Sequence, residues 1–206
     1  MNPAKNKEYY RRWVNLDITH RCLLQCPACM RAIHPNLHKR GSDISLKNFE
    51  KICKTFPKIL FCGQMGDAIY HPKFLDILKI AVKNNIRCQI STNGSGKKNK
   101  WWDEAFSITK NNDIQWIFGL DGLPKDSHKY RVNQDGESVW EKMKQGAKNG
   151  NDILWQYIIF NYNENDIETA KYMARENGIT LVLLESARWS FVGKFKPSKH
   201  FIEDWR

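Results

Sequence analysis

Trp13-Val-Asn-Leu-Asp-Ile-Thr19 and, two residues on, Cys22-Leu-Leu-Gln-Cys26-Pro-Ala-Cys29 are the stretch around which this 206-residue chain is organised. Val14, Leu16 and Ile18 alternate with Asn15, Asp17 and Thr19, the period of a β-strand. Strands of a parallel sheet covered by helices are usually apolar on both faces, so a polar set on one face predicts a wet or functional side. An exposed edge strand would carry the same pattern. Directly after this strand come three cysteines at i, i+4 and i+7.

Those three thiols allow more than one reading. The spacing is that of a helix face, but Pro27 opposes a helix there, because its ring clashes with the carbonyl one turn back and it has no N–H. Thiolates are natural ligands for zinc or for the iron of an iron–sulfur cluster. Cys22, Cys26 and Cys29 with His34 or His38 would make a Cys3His zinc site, although the usual two-pair spacing is missing. Three cysteines within eight residues can equally wrap one corner of a cuboidal cluster and leave its fourth metal open. The other three cysteines, Cys53, Cys62 and Cys88, sit inside apolar patterns and are expected in the core.

The composition narrows the classes. Hydrophobic residues make up 41% of the chain, enough for a substantial core and against wholesale disorder. One domain is expected over 1–206, with 187–206 a tail that extends past the last regular element. There is no apolar run long enough for a membrane span and no secretory pattern at the start, so a soluble, cytoplasmic protein without disulfides is expected. The net charge of +11 attracts anionic partners, whether nucleic acid, an anionic substrate or an acidic protein. The basic residues are spread out, with small clusters at Lys5–Arg12 and Lys97–Lys100, so a solvated basic surface is the plainer account.

Strand and helix then alternate along the chain. A cluster loop from Met30 to Gly41 leads to Ser45, an N-cap for a helix starting at Leu46 and ended by Pro57. Strands are expected at Lys58–Gly63, Ile86–Ser91, Ile114–Leu120, Ile153–Phe160 and Ile179–Leu184. Helices are expected between them at Phe74–Asn84, Trp101–Lys110, Val139–Asn149 and Asn165–Asn177, the last closed by Gly178. Six strands alternating with helices, with no run of hairpins, predict an α/β fold on a parallel sheet, too short for a closed eight-stranded barrel.

Cys-x3-Cys-x2-Cys immediately after a first strand resembles the signature of the radical S-adenosylmethionine (SAM) enzymes. The resemblance implies that Cys22, Cys26 and Cys29 hold a [4Fe–4S] cluster whose fourth iron is chelated by SAM. It also implies a partial, open (β/α)6 TIM-like barrel. Three further elements fall in register with it. Gly63-Gln-Met-Gly66-Asp67 ends the second strand and resembles the Gly-Gly-Glu-Pro element, with Met65, Asp67 and Ala68 departing from it. The resemblance gives Gly63 and Gly66 a close backbone approach to SAM and Asp67 its amino group. Ser91-Thr-Asn93-Gly94 resembles a Thr-Asn-Gly stretch whose hydroxyl and amide side chains meet the ribose. Gly119-Leu-Asp121-Gly122 followed by His128 and Arg131 resembles the Ser-x-Asp-Gly…His-x-x-x-Arg segment of the peptide- and protein-modifying branch called SPASM-type. Gly119 stands where that segment has serine. Arg131 would grip the SAM carboxylate, since guanidinium binds carboxylate in a bidentate fork. Ala28 replaces a common aromatic residue and would keep a backbone contact to adenine.

The function so implied is reductive cleavage of SAM to a 5′-deoxyadenosyl radical that abstracts hydrogen from a substrate carbon. A flavodoxin- or ferredoxin-like reducing partner goes with it. The substrate is a peptide, protein or other large molecule, or else a small molecule or nucleotide. No cysteine follows the sixth strand in this sequence, so a single cluster, without the cysteine-rich extension of the SPASM kind, is expected. Gln156, Asn161 and Glu185, polar and near the later strand ends, are candidate substrate contacts. No acid or base catalyst is legible. A zinc-stabilised basic module binding nucleic acid is the competing class; it needs a fourth ligand near Cys29 and aromatic residues along a basic groove.

Overall fold

The structure, a computed structural model, describes residues 13–39 and 41–201, without the side chains of 37, 38, 191 and 192. The basic cluster Lys5–Arg12 lies outside the described residues. Among the described residues, six strands form one parallel sheet in sequence order: β1 (Trp13–Asn15), β2 (Lys58–Phe61), β3 (Arg87–Thr92), β4 (Ile114–Gly119), β5 (Asp152–Ile158) and β6 (Thr180–Leu184). β1 and β6 are its two edges, so the sheet is an open partial barrel of six β/α units, as expected. Among the described residues no helix is long and apolar enough to cross a membrane.

The alternation of each strand separates a packed face from a wet one. Ile59, Phe61, Cys88, Ile90, Trp116, Phe118, Ile153, Trp155 and Tyr157 are buried. They pack under α3 (Leu46–Thr55), α4 (Phe74–Lys83), α5 (Asn99–Thr109), α6 (Gly136–Lys148) and α7 (Ile167–Glu176). The centre of that layer is aromatic, with Trp102 set against Trp116 and Phe118 at ring-centroid distances of 5.5 Å each. Residues one step out of phase, such as Gln89, Ser91, Gln115, Ile117 and Gln156, are only half-buried. Gln89 donates to Gln115 (3.0 Å) and Gln115 to Asp152 (2.9 Å), a polar ladder across three strands. The wet face expected from the first strand is therefore a property of the whole sheet.

The element bounds differ where side chains compete with the ladder. β1 stops at Asn15 and not at Thr19, because β2 turns away after Phe61 through Gly63, whose φ is +64°. Asp17 then takes the backbone amides of Gln64 (3.0 Å) and Met65 (3.2 Å), replacing strand pairing with a side-chain clasp. α3 starts after Ser45, whose hydroxyl accepts from the Asn48 amide, as expected. α6 starts three residues before Val139, because Asp135 caps it through the Ser138 amide at 3.0 Å and a good cap offsets a first-turn glycine. The stretch 30–41, expected as a loop, contains two short helices, α1 (Met30–Ile33) and α2 (Pro35–Lys39). Beyond β6, α8 (Trp189–Val192) leads to a further turn at Gly193–Phe195, which brings Trp189 and Phe195 against Phe160 and Tyr130. Trp189 and Phe195 of the tail are thus docked through a second, smaller apolar cluster.

Candidate metal and cofactor site

The carboxyl ends of the strands open into a cavity of about 420 Å³, the place where parallel α/β sheets bind ligands. Cys22, Cys26, Ala28 and Cys29 of the cysteine loop line it. So do Gly63, Gly66 and Asp67 after β2, Ser91 and Asn93 at the end of β3, and Arg131 and Gln156. Eleven residues proposed from sequence thus share one cavity. Asp121, Asn161 and Glu185 are not among its lining residues.

The cysteine loop is non-helical, as Pro27 requires, and is tied down from both ends. Arg31 donates to the carbonyls of Cys22 and Leu24, each at 3.2 Å. The Gln25 amide reaches Val132 O (3.1 Å), and the Cys29 amide turns back to Cys26 O (3.1 Å). Burial, helped by the nearby Asp67 carboxylate, pushes the Cys22 thiol up to about 11. Burial also raises Cys26, against the pull of Arg131. Both thiols therefore hold their protons until a cation displaces them, so binding of metal releases protons.

Among the described residues, no three His, Cys, Asp or Glu side chains converge tightly enough for a single metal ion, and His34, one of the imidazoles considered for zinc, is exposed. The three thiols line one cavity. Soft sulfur donors brought together in this way suit an iron–sulfur cluster. The residues present fit that group.

Asp67 is fully enclosed, and its carboxylate accepts from Asn93 N (2.7 Å), Thr92 Oγ1 (3.0 Å) and Ile69 N (3.2 Å). Burial nonetheless wins over these donors and pushes its pKa up to about 6. The residue expected at the SAM amino group is in the first place the rivet between the β2 turn and the end of β3. Gly66 has a packing role as well: a side chain there would run into the backbone of Thr19 and His20.

Asn93, expected at the ribose, lines the cavity with its Nδ2 3.3 Å from Cys22 Sγ. Arg131 is likewise committed: its Nε donates to Asp121 at 2.7 Å in a pair whose carboxylate is completely buried. Burial raises Asp121 and Arg131 pulls it back. Asp121 also accepts the Ile158 amide (3.0 Å), so it holds β5 and the Arg131 loop and reaches the site only through the arginine. Gly119 explains the missing serine. A Cβ there would lie 2.6 Å from Arg131 Cζ and 2.8 Å from Nη1, so glycine makes the bed for the guanidinium.

Asn161 and Glu185 serve the tail and not the cavity. Asn161 Nδ2 donates to Lys194 O (2.8 Å), and Glu185 accepts the Phe201 amide (2.6 Å). Of the lining residues that the sequence reading missed, two bear most on the site. Cys62, expected in the core, is half-buried and faces the cavity. Alternation from Lys58 and Leu60 puts it on the wet face, and that signal was present. Arg188, just beyond β6, donates to Ala28 O (2.9 Å) and Gln64 Oε1 (3.1 Å), clasping the cysteine loop to the β2 turn. The rule that ligands sit past strand ends points to Ser186–Arg188, which line the cavity, more directly than to Glu185.

An open parallel sheet with three thiols and a nucleoside-sized cavity at its carboxyl edge defines an α/β protein built to hold an iron–sulfur cluster beside a small cofactor. The chain belongs to the radical SAM superfamily, whose model matches residues 16–174. Over 89 residues it is 30% identical to the tungsten-containing aldehyde ferredoxin oxidoreductase cofactor-modifying protein of Pyrococcus furiosus, covering 41% of this chain and 24% of that one. Its fold is similar to that of Streptococcus suis SuiB bound to S-adenosylmethionine (TM-score 0.72, 16% identity, 95% of this chain and 46% of that one). SuiB also matches in a complex with its precursor peptide SuiA. A third similar structure is anSMEcpe with bound AdoMet, at a TM-score of 0.63 and 14% identity over 84% of this chain and 49% of that one. The chain spans about half the length of these two structural relatives and a quarter of the Pyrococcus protein.

Proposed function

We propose that this protein is a radical SAM enzyme in which Cys22, Cys26 and Cys29 hold one [4Fe–4S] cluster and the cavity beside them takes SAM. The observation that carries the proposal is the placement of all three thiols on the cavity at the strand ends. Held by these residues, the reduced cluster and SAM would supply the chemistry: one-electron cleavage of a SAM carbon–sulfur bond to methionine and a 5′-deoxyadenosyl radical that takes hydrogen from a substrate carbon. The protein's own part is ligation, orientation and exclusion of water. The cysteine loop is fixed by Arg31 and Arg188, the β2 turn by Asp17 and Asp67, and Arg131 presents its remaining nitrogens over Gly119.

The reacting group of the substrate comes, in this reading, from a peptide or protein. The cavity of about 420 Å³ is open at the strand ends, so a large substrate can insert one side chain there and keep its bulk outside. Folds similar to this one have been captured with peptides, and a net charge of +11 favours an anionic partner.

Anaerobic reconstitution with an iron and zinc count tests the cofactor assignment. About four irons per chain are expected, lost on replacing any of Cys22, Cys26 or Cys29 by alanine. Stoichiometric zinc without a brown chromophore would contradict it. Deuterium carried into 5′-deoxyadenosine from the macromolecular fraction of a deuterated cell extract supports the peptide reading; transfer from the small-molecule filtrate alone contradicts it.

A further inference from the structure

We infer that Asn93 is a dedicated hydrogen-bond donor to the Cys22 sulfur that makes the cluster easier to reduce. The inference rests on the reading of Cys22 as a cluster ligand and adds to it a residue that sets the electron affinity of the site. Asn93 comes from the end of β3, 71 positions along the chain from Cys22, and its Nδ2 stands 3.3 Å from Cys22 Sγ. The amide is not free to turn. Its Oδ1 accepts from the Ser95 amide at 2.9 Å and from the Tyr70 hydroxyl at 3.2 Å. The single Tyr70 hydroxyl proton is shared with Ser95 O, 2.8 Å away. The Ser95 amide decides which end of the Asn93 amide faces the thiol, because the flipped amide would set N–H against N–H.

The backbone around the residue is fixed too. Asn93 N donates to Asp67 at 2.7 Å, and Asn93 O accepts from Gln134 Nε2, also at 2.7 Å. The residue is 5% exposed. Of the two N–H donors on an amide so constrained, one is aimed at the sulfur. An N–H aimed at a ligating thiolate draws electron density from the sulfur and stabilises the more negative, reduced cluster, so it raises the reduction potential. The same donor gives Cys22 an environment different from that of Cys26, which has the Arg131 charge beside it.

The test is a potentiometric titration of the reconstituted full chain, followed by the paramagnetic signal of the reduced cluster, which needs neither SAM nor turnover. Asn93→Leu keeps the shape and removes the donor; Tyr70→Phe removes only a hydroxyl that fixes the amide. The expected result is a parental iron content with a more negative potential in Asn93→Leu and a smaller shift of the same sign in Tyr70→Phe. Should Asn93→Leu fail to take up iron, Tyr70→Phe carries the comparison alone. Iron–sulfur stretching frequencies should move on exchange into deuterium oxide in the parent and not in Asn93→Leu, a signature that a packing role would not produce. No reducible iron cluster in the parent overturns the ligation reading and this inference with it. A reducible cluster whose potential is the same in parent and variants overturns the inference alone.

Discussion

Replacing Arg131 with leucine should cost folding stability first and ligand affinity only second. The Asp121 carboxylate is completely buried, and the Arg131 side chain is 15% exposed. Without the guanidinium, Asp121 keeps the Ile158 amide as a donor and has no opposite charge beside it. Breaking one side of a buried pair costs about 3–5 kcal/mol. Protonation of Asp121, already favoured by burial, offsets part of this. With a urea m-value of about 3 kcal/mol/M, the upper end for small domains, the midpoint should fall by about 1–1.5 M. The assay is equilibrium urea unfolding of the cluster-free chain followed by tryptophan fluorescence. Trp155, whose indole donates to Leu120 O at 2.7 Å, reports on this corner. Removing both charges in Asp121→Asn/Arg131→Leu should restore part of the loss, giving a coupling of about 1–3 kcal/mol between the sites. A shift below about 0.3 M for Arg131→Leu is what an exposed salt bridge would give, and it would refute the reasoning.

The remaining predictions test other parts of the site. Asp67 should titrate near pH 6 in carboxyl-carbon NMR of the folded chain; a midpoint under about 4.5, close to the free side chain, would contradict the dominance of burial. Because its folded pKa is raised, the folded chain binds this proton more tightly than the unfolded one. The contribution of Asp67 to stability therefore grows as pH falls from 6 towards 4 and is lost as pH rises through 6. Gly119→Ser should displace the Arg131 guanidinium and cost about 1–3 kcal/mol, read as a lower melting temperature; an unchanged one would show that the arginine yields without cost. Cys53→Ala and Cys88→Ala, both in the buried layer, and Cys62→Ala should leave the iron content intact. Loss of iron equal to that in Cys26→Ala would reassign the ligands.

The six strands alternating with helices and the parallel sheet were legible because alternation and turn chemistry are local; the open barrel and the meeting of the cysteine loop with the second, third and fourth strand ends were implied by the family resemblance. What escaped was decided by competition between side chains and backbone. Nothing in Val14–Thr19 tells that Asp17 will leave the strand to hold the Gln64 and Met65 amides. Asn93 and Arg131 lie on the cavity as the motifs suggested, yet each spends donors on the protein, on Cys22 and on Asp121. Such pairings join residues far apart in sequence, and spacing carries no trace of them. Glu185 and Asn161 were polar and near strand ends, but the docked tail consumes both.

The central claim is that this chain, with iron bound at Cys22, Cys26 and Cys29, cleaves SAM by reduction. Its most direct test is to incubate anaerobically reconstituted, dithionite-reduced protein with SAM and quantify 5′-deoxyadenosine and methionine by mass spectrometry. Equal amounts of the two are predicted from the parent and none from Cys26→Ala. No deoxyadenosine from a parent protein that carries its full complement of iron would contradict the account.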